Sequence, residues 1–138
     1  MSNGYLLDTC AAIWLSHRQA VSEETRFALK IAWRDRVPVR VSVMTAWEMA
    51  MLVSKGRISE TKSPERWYRG FLNDSQIEEQ PVTADILMAS CFLPTPVHND
   101  PTDRILIATA REYDLTIITR DRAILAYGAA GHVKTLAC

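Results

Sequence analysis

The sequence predicts an α/β fold, with a mostly parallel central sheet flanked by helices on both faces. Three observations predict it. Short apolar or β-branched runs recur along the chain. Segments with helical start and stop signals stand between them. The two kinds alternate from one end to the other, and in sheets of this type ligands sit beyond the carboxyl ends of the strands.

Tyr5-Leu6-Leu7 is a first strand that stops at Asp8, and a helix over Cys10 to Leu15 follows. Ser22, with Glu23 and Glu24 in the first turn, opens an amphipathic helix to about Asp35. Val37 to Val41 is β-branched around Pro38 and reads as the second strand. Val43 to Val53 is helical and stops near Gly56. Ser63-Pro64-Glu65 supplies an N-cap, a proline at the first helical position and an acid in the first turn, for a helix to about Leu72. Ile77 to Val82 is a third strand, and Thr83 caps the helix after it. Asp100-Pro101 opens a helix to about Tyr113. Leu115 to Thr119 is a strand, a short helix follows Asp121, and His132 to Leu136 is the last strand.

The chain has 138 residues, 48% of them hydrophobic, which suits one domain over 1–138 rather than a disordered segment. Lys plus Arg and Asp plus Glu both number 16, so net charge exerts no global pull on nucleic acid, although a local basic patch is enough. Such groups occur at Arg34, Arg36 and Arg40, at Lys55 and Arg57, at Arg66 and Arg69, and at Arg120 and Arg122. Cys10, Cys91 and Cys138 form no CxxC pair and suit free thiols. Asp8 breaks the apolar start, so a secretory signal is not expected. The longest uncharged stretch, Ile86 to Asn99, is too short to span a bilayer and contains Pro94 and Pro96. A cytoplasmic protein without a membrane partner is expected.

Four acids stand out by position. Asp8 ends the first strand, Glu48 lies in the helix after the second, Asp103 sits in the first turn of its helix, and Asp121 follows Thr119 and Arg120. In a parallel sheet the loops after Asp8, Val41 and Thr119 share one edge, and the helix start at Asp103 can reach it. Gathered carboxylates repel one another, and a divalent cation reverses that; all-oxygen ligation suits a hard ion. Each acid also has a local use. Asp8 can begin a turn, Glu48 can form a capping box with Thr45, Asp103 can complement its helix dipole, and Asp121 can cap the helix that follows it. Glu48 is the least easily explained that way, because it stands among Ala46, Trp47, Met49, Ala50, Met51 and Leu52.

The segments Leu6-Leu7-Asp8-Thr9-Cys10-Ala11, the Glu48 helix, His98-Asn99-Asp100-Pro101-Thr102-Asp103-Arg104, Thr119-Arg120-Asp121 and Tyr127-Gly128 follow an order and spacing that resembles the PIN-domain family, in particular its VapC-type toxins. The resemblance spans nearly the whole chain. It implies a PIN-like fold and an endoribonuclease in which Asp8, Glu48, Asp103 and Asp121 hold Mg²⁺ or Mn²⁺. It also implies RNA as substrate, a homodimer and a cognate antitoxin. Asp100 is assigned to the helix cap. Thr102 stands where a bulky apolar residue is common in the family, and Cys10 where Asn or His is frequent.

Around the acids, Thr9 and Thr119 are expected as supporting hydroxyls, and Arg120 and Arg122 as phosphate contacts. Thr9 and Thr119 read equally well as ordinary secondary-structure residues. Cys10 is a poor nucleophile beside carboxylates. His98 is the one histidine near a motif. The four tryptophans read as core or interface anchors. Two rival functions remain. A phosphatase forming an aspartyl-phosphate would want an acid two residues after Asp8, where Cys10 stands. A non-catalytic binding module on the same fold would not need all four acids.

Overall fold

A computed structural model describes residues 3–97 and 99–138. The described chain runs β1 (Tyr5–Leu7), α1 (Thr9–Ser16), α2 (Glu23–Asp35), β2 (Val39–Ser42), α3 (Val43–Ser54), α4 (Pro64–Asp74), β3 (Glu78–Gln80), α5 (Ala84–Ser90), α6 (Pro101–Tyr113), β4 (Thr116–Thr119), α7 (Arg122–Ala129) and β5 (Lys134–Ala137). Every expected element is present, with boundaries moved by a few residues. The largest change is β3, where only Glu78–Gln80 of the run from Ile77 to Val82 pairs with a neighbour. Pro81 has no amide hydrogen to continue that ladder.

The strands form one sheet in the order β3-β2-β1-β4-β5, and every pair is parallel. Alternation along the strands sorts side chains to two faces. Leu7, Val39, Val41 and Ile118 face a core completed by Ala11, Leu29, Met49, Trp67 and Phe71 from α1 to α4. Leu6 and Ile117 face the other core, with Ile86, Leu106, Ile107 and Ile124 from α5, α6 and α7. Fully burying each such aliphatic side chain contributes about 1.5–3 kcal/mol, so this double-sided packing is what fixes the register. Gly4 enters β1 with φ +144°, and a Cβ there would stand 2.5 Å from the Pro38 carbonyl oxygen. Gly128 serves a similar purpose in α7, because a Cβ would meet Thr135 Oγ1 at 2.5 Å and push β5 away.

Of the tryptophans, Trp67 is buried in the core and Trp14 is half-buried, whereas Trp33 and Trp47 are exposed and do not serve as core anchors. The three thiols are free, as expected. Among the described residues, no helix is long and apolar enough to cross a membrane.

The sheet order places the site. The chain leaves β1 toward β2 on one side, while β4 lies on the other. The crevice beyond the carboxyl ends of β1 and β4 is therefore a topological switch point. Leu7 pairs with Ile118, so Asp8 and Thr119 emerge side by side.

Candidate active site

Three of the helices that start at this edge have an aspartate as N-cap. Asp8 Oδ1 accepts from Ala11 N at 2.7 Å at the start of α1. Asp100 Oδ1 accepts from Asp103 N at 3.1 Å at the start of α6, and Asp121 Oδ1 from Ile124 N at 2.9 Å at the start of α7. The positive ends of these helix dipoles favour the carboxylates they carry. The local uses foreseen for Asp8 and Asp121 are thus real, and they coexist with a shared position. The capping box proposed for Thr45 and Glu48 is not formed. Ser42 is the N-cap of α3, with its hydroxyl accepting from Met44 N at 3.1 Å, and Thr45 lies inside the helix.

Asp8, Glu48, Asp103 and Asp121 line one cleft of about 380 Å³, together with Thr9, Cys10, Trp14, Asp100 and Arg120. Asp100 is a fifth acid in this wall, which its reading as a cap alone had left out. A larger cleft, about 790 Å³, lies near the opposite ends of the strands. Its cations are engaged locally. Arg111 bonds the His132 carbonyl, and Lys134 Nζ pairs with Asp114 at 2.8 Å. It gathers no comparable set of acids, so the smaller cleft is the candidate site.

The electrostatics of the cleft are those of crowded acids. Burial raises the Asp8 carboxyl above its ordinary range, and Asp121 adds to this. Hydrogen bonds from Thr119 and Ala11, and the charge of Arg120, oppose it. Burial likewise raises Glu48, against a hydrogen bond from Thr9, and Asp100 and Asp8 raise it further. The Cys10 thiol is pushed up to about 11, first by burial and then by Asp8, Glu48, Asp103 and Asp121 in turn. Such a thiol stays protonated near neutrality and is no nucleophile, in accord with the sequence reading.

Hydroxyls hold the two buried acids. Thr119 Oγ1 donates to Asp8 Oδ2 and accepts from Asp121 N at 2.9 Å, joining two of the acids through one side chain. Thr9 Oγ1 donates to Glu48 Oε1 and lies 3.0 Å from Thr45 Oγ1. Arg120 is exposed but held in place. Its Nε donates to the Cys138 carbonyl at 2.7 Å, its Nη2 to the Ala20 carbonyl at 2.8 Å, and its guanidinium lies over Trp14. It is a fixed positive charge in the wall. Arg122 is exposed on the first turn of α7 and is not part of the cleft lining. His98 lies outside the described residues.

The donor set fits a hard divalent cation, because five carboxylates line the cleft against the single bound guanidinium of Arg120, and the oxygen donors beside them are hydroxyls. Among the described residues, the acids do not close on one point as a group of three or more ready ligands. They line a cleft whose charge a cation would offset.

A PIN domain model matches residues 5–129. The chain belongs to the PIN domain family. It is 25% identical over 119 residues to ribonuclease VapC22 of Mycobacterium tuberculosis (strain ATCC 25618 / H37Rv), covering 86% of this chain and 88% of that protein. The fold is similar to one in the solved structure of VapBC2 from Rickettsia felis bound to a fragment of promoter DNA, with a TM-score of 0.71, 15% identity, and coverage of 97% of this chain and 98% of that one. It is also similar to one in DNA-bound VapBC from Salmonella typhimurium, with a TM-score of 0.66, 16% identity, and coverage of 99% and 98%.

Proposed function

We propose that this PIN domain is a VapC-type toxin, a metal-dependent endoribonuclease that a cognate antitoxin neutralises, with Asp8, Glu48, Asp103 and Asp121 as its metal-site acids. One observation carries the reading: Asp8, Glu48, Asp103 and Asp121, up to 113 positions apart in sequence, line one cleft of about 380 Å³. The name of the mycobacterial relative supports RNA as the substrate class, and the VapBC structures support an antitoxin partner.

In the chemistry we infer, Mg²⁺ or Mn²⁺ in the cleft supplies Lewis acidity toward a phosphoryl oxygen and an attacking water. The chain's own residues do the rest. Asp8, fixed by the Ala11 amide and the Thr119 hydroxyl, presents a carboxylate of set orientation. Glu48 is set by Thr9. Asp103 and Asp121 complete the negative wall from two further helix starts. Arg120, fixed by two carbonyls, offsets part of this charge and keeps a positive edge where the phosphate chain enters.

The test is cleavage of single-stranded RNA by the purified chain, freed of antitoxin. Cleavage is expected with Mg²⁺ or Mn²⁺, to stop with EDTA, and to be lost in Asp8→Asn. Folded wild-type protein that leaves RNA intact with both ions would support the binding-module reading instead. The antitoxin arm is tested by recovery of a small stoichiometric partner from the native host. We extend the proposal to a homodimer, because α5 and the turn after it expose Leu87, Met88 and Phe92, the last at 86%. Sedimentation as a monomer at micromolar concentration would remove that extension.

A further inference from the structure

Three of the acids sit at helix starts, but Glu48 lies in the second turn of α3, where no orphan backbone amide points at it. Its long side chain needs another source of order, and the structure contains one. Thr9 Oγ1 carries a single proton and gives it to Glu48 Oε1. Thr45 Oγ1 stands 3.0 Å from Thr9 Oγ1. With the Thr9 proton committed to the carboxylate, that contact is a hydrogen bond only if Thr45 donates. The direction is therefore fixed: Thr45 donates to Thr9, and Thr9 to Glu48.

Both hydroxyls are shielded from water. Thr9 is buried, and Thr45 is 1% exposed. Thr45 is three residues before Glu48, so the two lie on neighbouring positions of one α3 face, with α1 delivering Thr9 between them. Both threonines are β-branched, which restricts how far either hydroxyl can swing. A relay of this kind ties the orientation of the carboxylate to a buried group that does not face the cleft.

We propose that Thr45 is a positioning residue for the metal-dependent reaction, holding the Glu48 carboxylate in its working orientation through the Thr9 hydroxyl. This rests on the metal-nuclease reading above. It goes beyond that reading by assigning a role to a core residue outside the cleft lining.

The experiment compares Thr45→Val, which keeps the shape and removes the hydroxyl, with Thr45→Ser, which restores the hydroxyl; Thr45→Ala replaces the valine variant if that one does not fold. Mn²⁺ affinity is measured by titration, and the Glu48 side-chain carboxyl carbon is followed by NMR in metal-free protein. Thr45→Val is expected to weaken Mn²⁺ binding roughly tenfold or more, as loss of a supporting hydrogen bond commonly does. It should also move the Glu48 resonance, whereas Thr45→Ser keeps wild-type values for both. In a Glu48→Gln background, Thr45→Val should cost no further Mn²⁺ affinity. An unmoved Glu48 resonance in Thr45→Val, or equal losses in the valine and serine variants, would overturn the relay. A wild-type chain that binds no Mn²⁺, but whose Glu48 resonance still moves in Thr45→Val, would defeat the metal reading and leave the relay standing.

Discussion

The guanidinium carbon of Arg120 lies 3.9 Å from the centre of the Trp14 ring, and this stack locks one wall of the acidic cleft. Two of the guanidinium nitrogens are spent on the carbonyls of Ala20 and Cys138, which lie before α2 and after β5. Lysine has the charge but not the planar fork, so Arg120→Lys cannot keep both carbonyl bonds and the stack in this geometry. The site is partly exposed, so the expected loss of stability is modest, about 1–2 kcal/mol. It should appear as a drop of several degrees in Tm. A wild-type Tm in Arg120→Lys would mean that the stack contributes nothing. Because the side chain is anchored, RNA affinity should fall in Arg120→Lys together with Tm, rather than on its own.

Metal-free protein should lose stability as pH rises through the weakly acidic range. Asp8 and Glu48 are both raised, chiefly by burial, above their ordinary values of 3.8 and 4.5. Between those values and the raised ones, the folded chain holds protons that the unfolded chain has released. Stability therefore falls with rising pH across that window, and levels off above it. Glu60, lowered by its bond to His17, has the opposite sign, but its window lies below 4.5. Urea unfolding in EDTA across this range should show the fall, and Asp8→Asn should flatten it. Stability that rises with pH in the same range would contradict the crowded-acid picture.

Cys10 provides a built-in reporter of the acids. Its thiol is pushed up to about 11, by burial first and then by four carboxylates. Alkylation near neutral pH should be slow although the residue is exposed. Asp121→Asn or Asp103→Asn removes one of the four charges and should speed the reaction without changing the fold. Equal rates in wild type and both variants would mean that the acids do not converge on this point.

The alternation that predicted the sheet was legible because each strand run is framed by a helix cap. Asp8, Ser22, Ser63, Thr83, Asp100 and Asp121 all accept from a backbone amide at a helix start. The positions of Asp8 and Asp121 were legible for the same reason, since a carboxylate that ends a strand and starts a helix must lie on the carboxyl edge. What was not legible is how the side chains engage one another. Nothing local announces that Thr45 turns away from a capping box toward Thr9, because that contact depends on the packing of α1 against α3. The two arginines beside Asp121 looked equivalent in sequence. One is clamped between chain segments over 100 residues apart, and the other stands outside the cleft lining. Asp100 shows a further limit: its capping role was clear from Pro101 after it, but its share in the cleft required the placement of α6 across from α3.

The ends left on cleaved RNA, with a single 2′-deoxy substitution at the mapped cut site, test the carboxylate–metal mechanism most directly. Among the described residues, His17 is paired with Glu60 and stacked on Trp67, and His132 packs on Tyr127, and neither lines the acidic cleft. Acid–base chemistry by a pair of these two histidines, which would use the RNA's own 2′-hydroxyl, has no support in that arrangement. The account predicts fragments with 5′-phosphate and 3′-hydroxyl ends, cleavage that persists at the 2′-deoxy position, and full dependence on Mg²⁺ or Mn²⁺. Cyclic 2′,3′-phosphate ends, no cutting at the 2′-deoxy position and indifference to EDTA would contradict it, even with the fold unchanged.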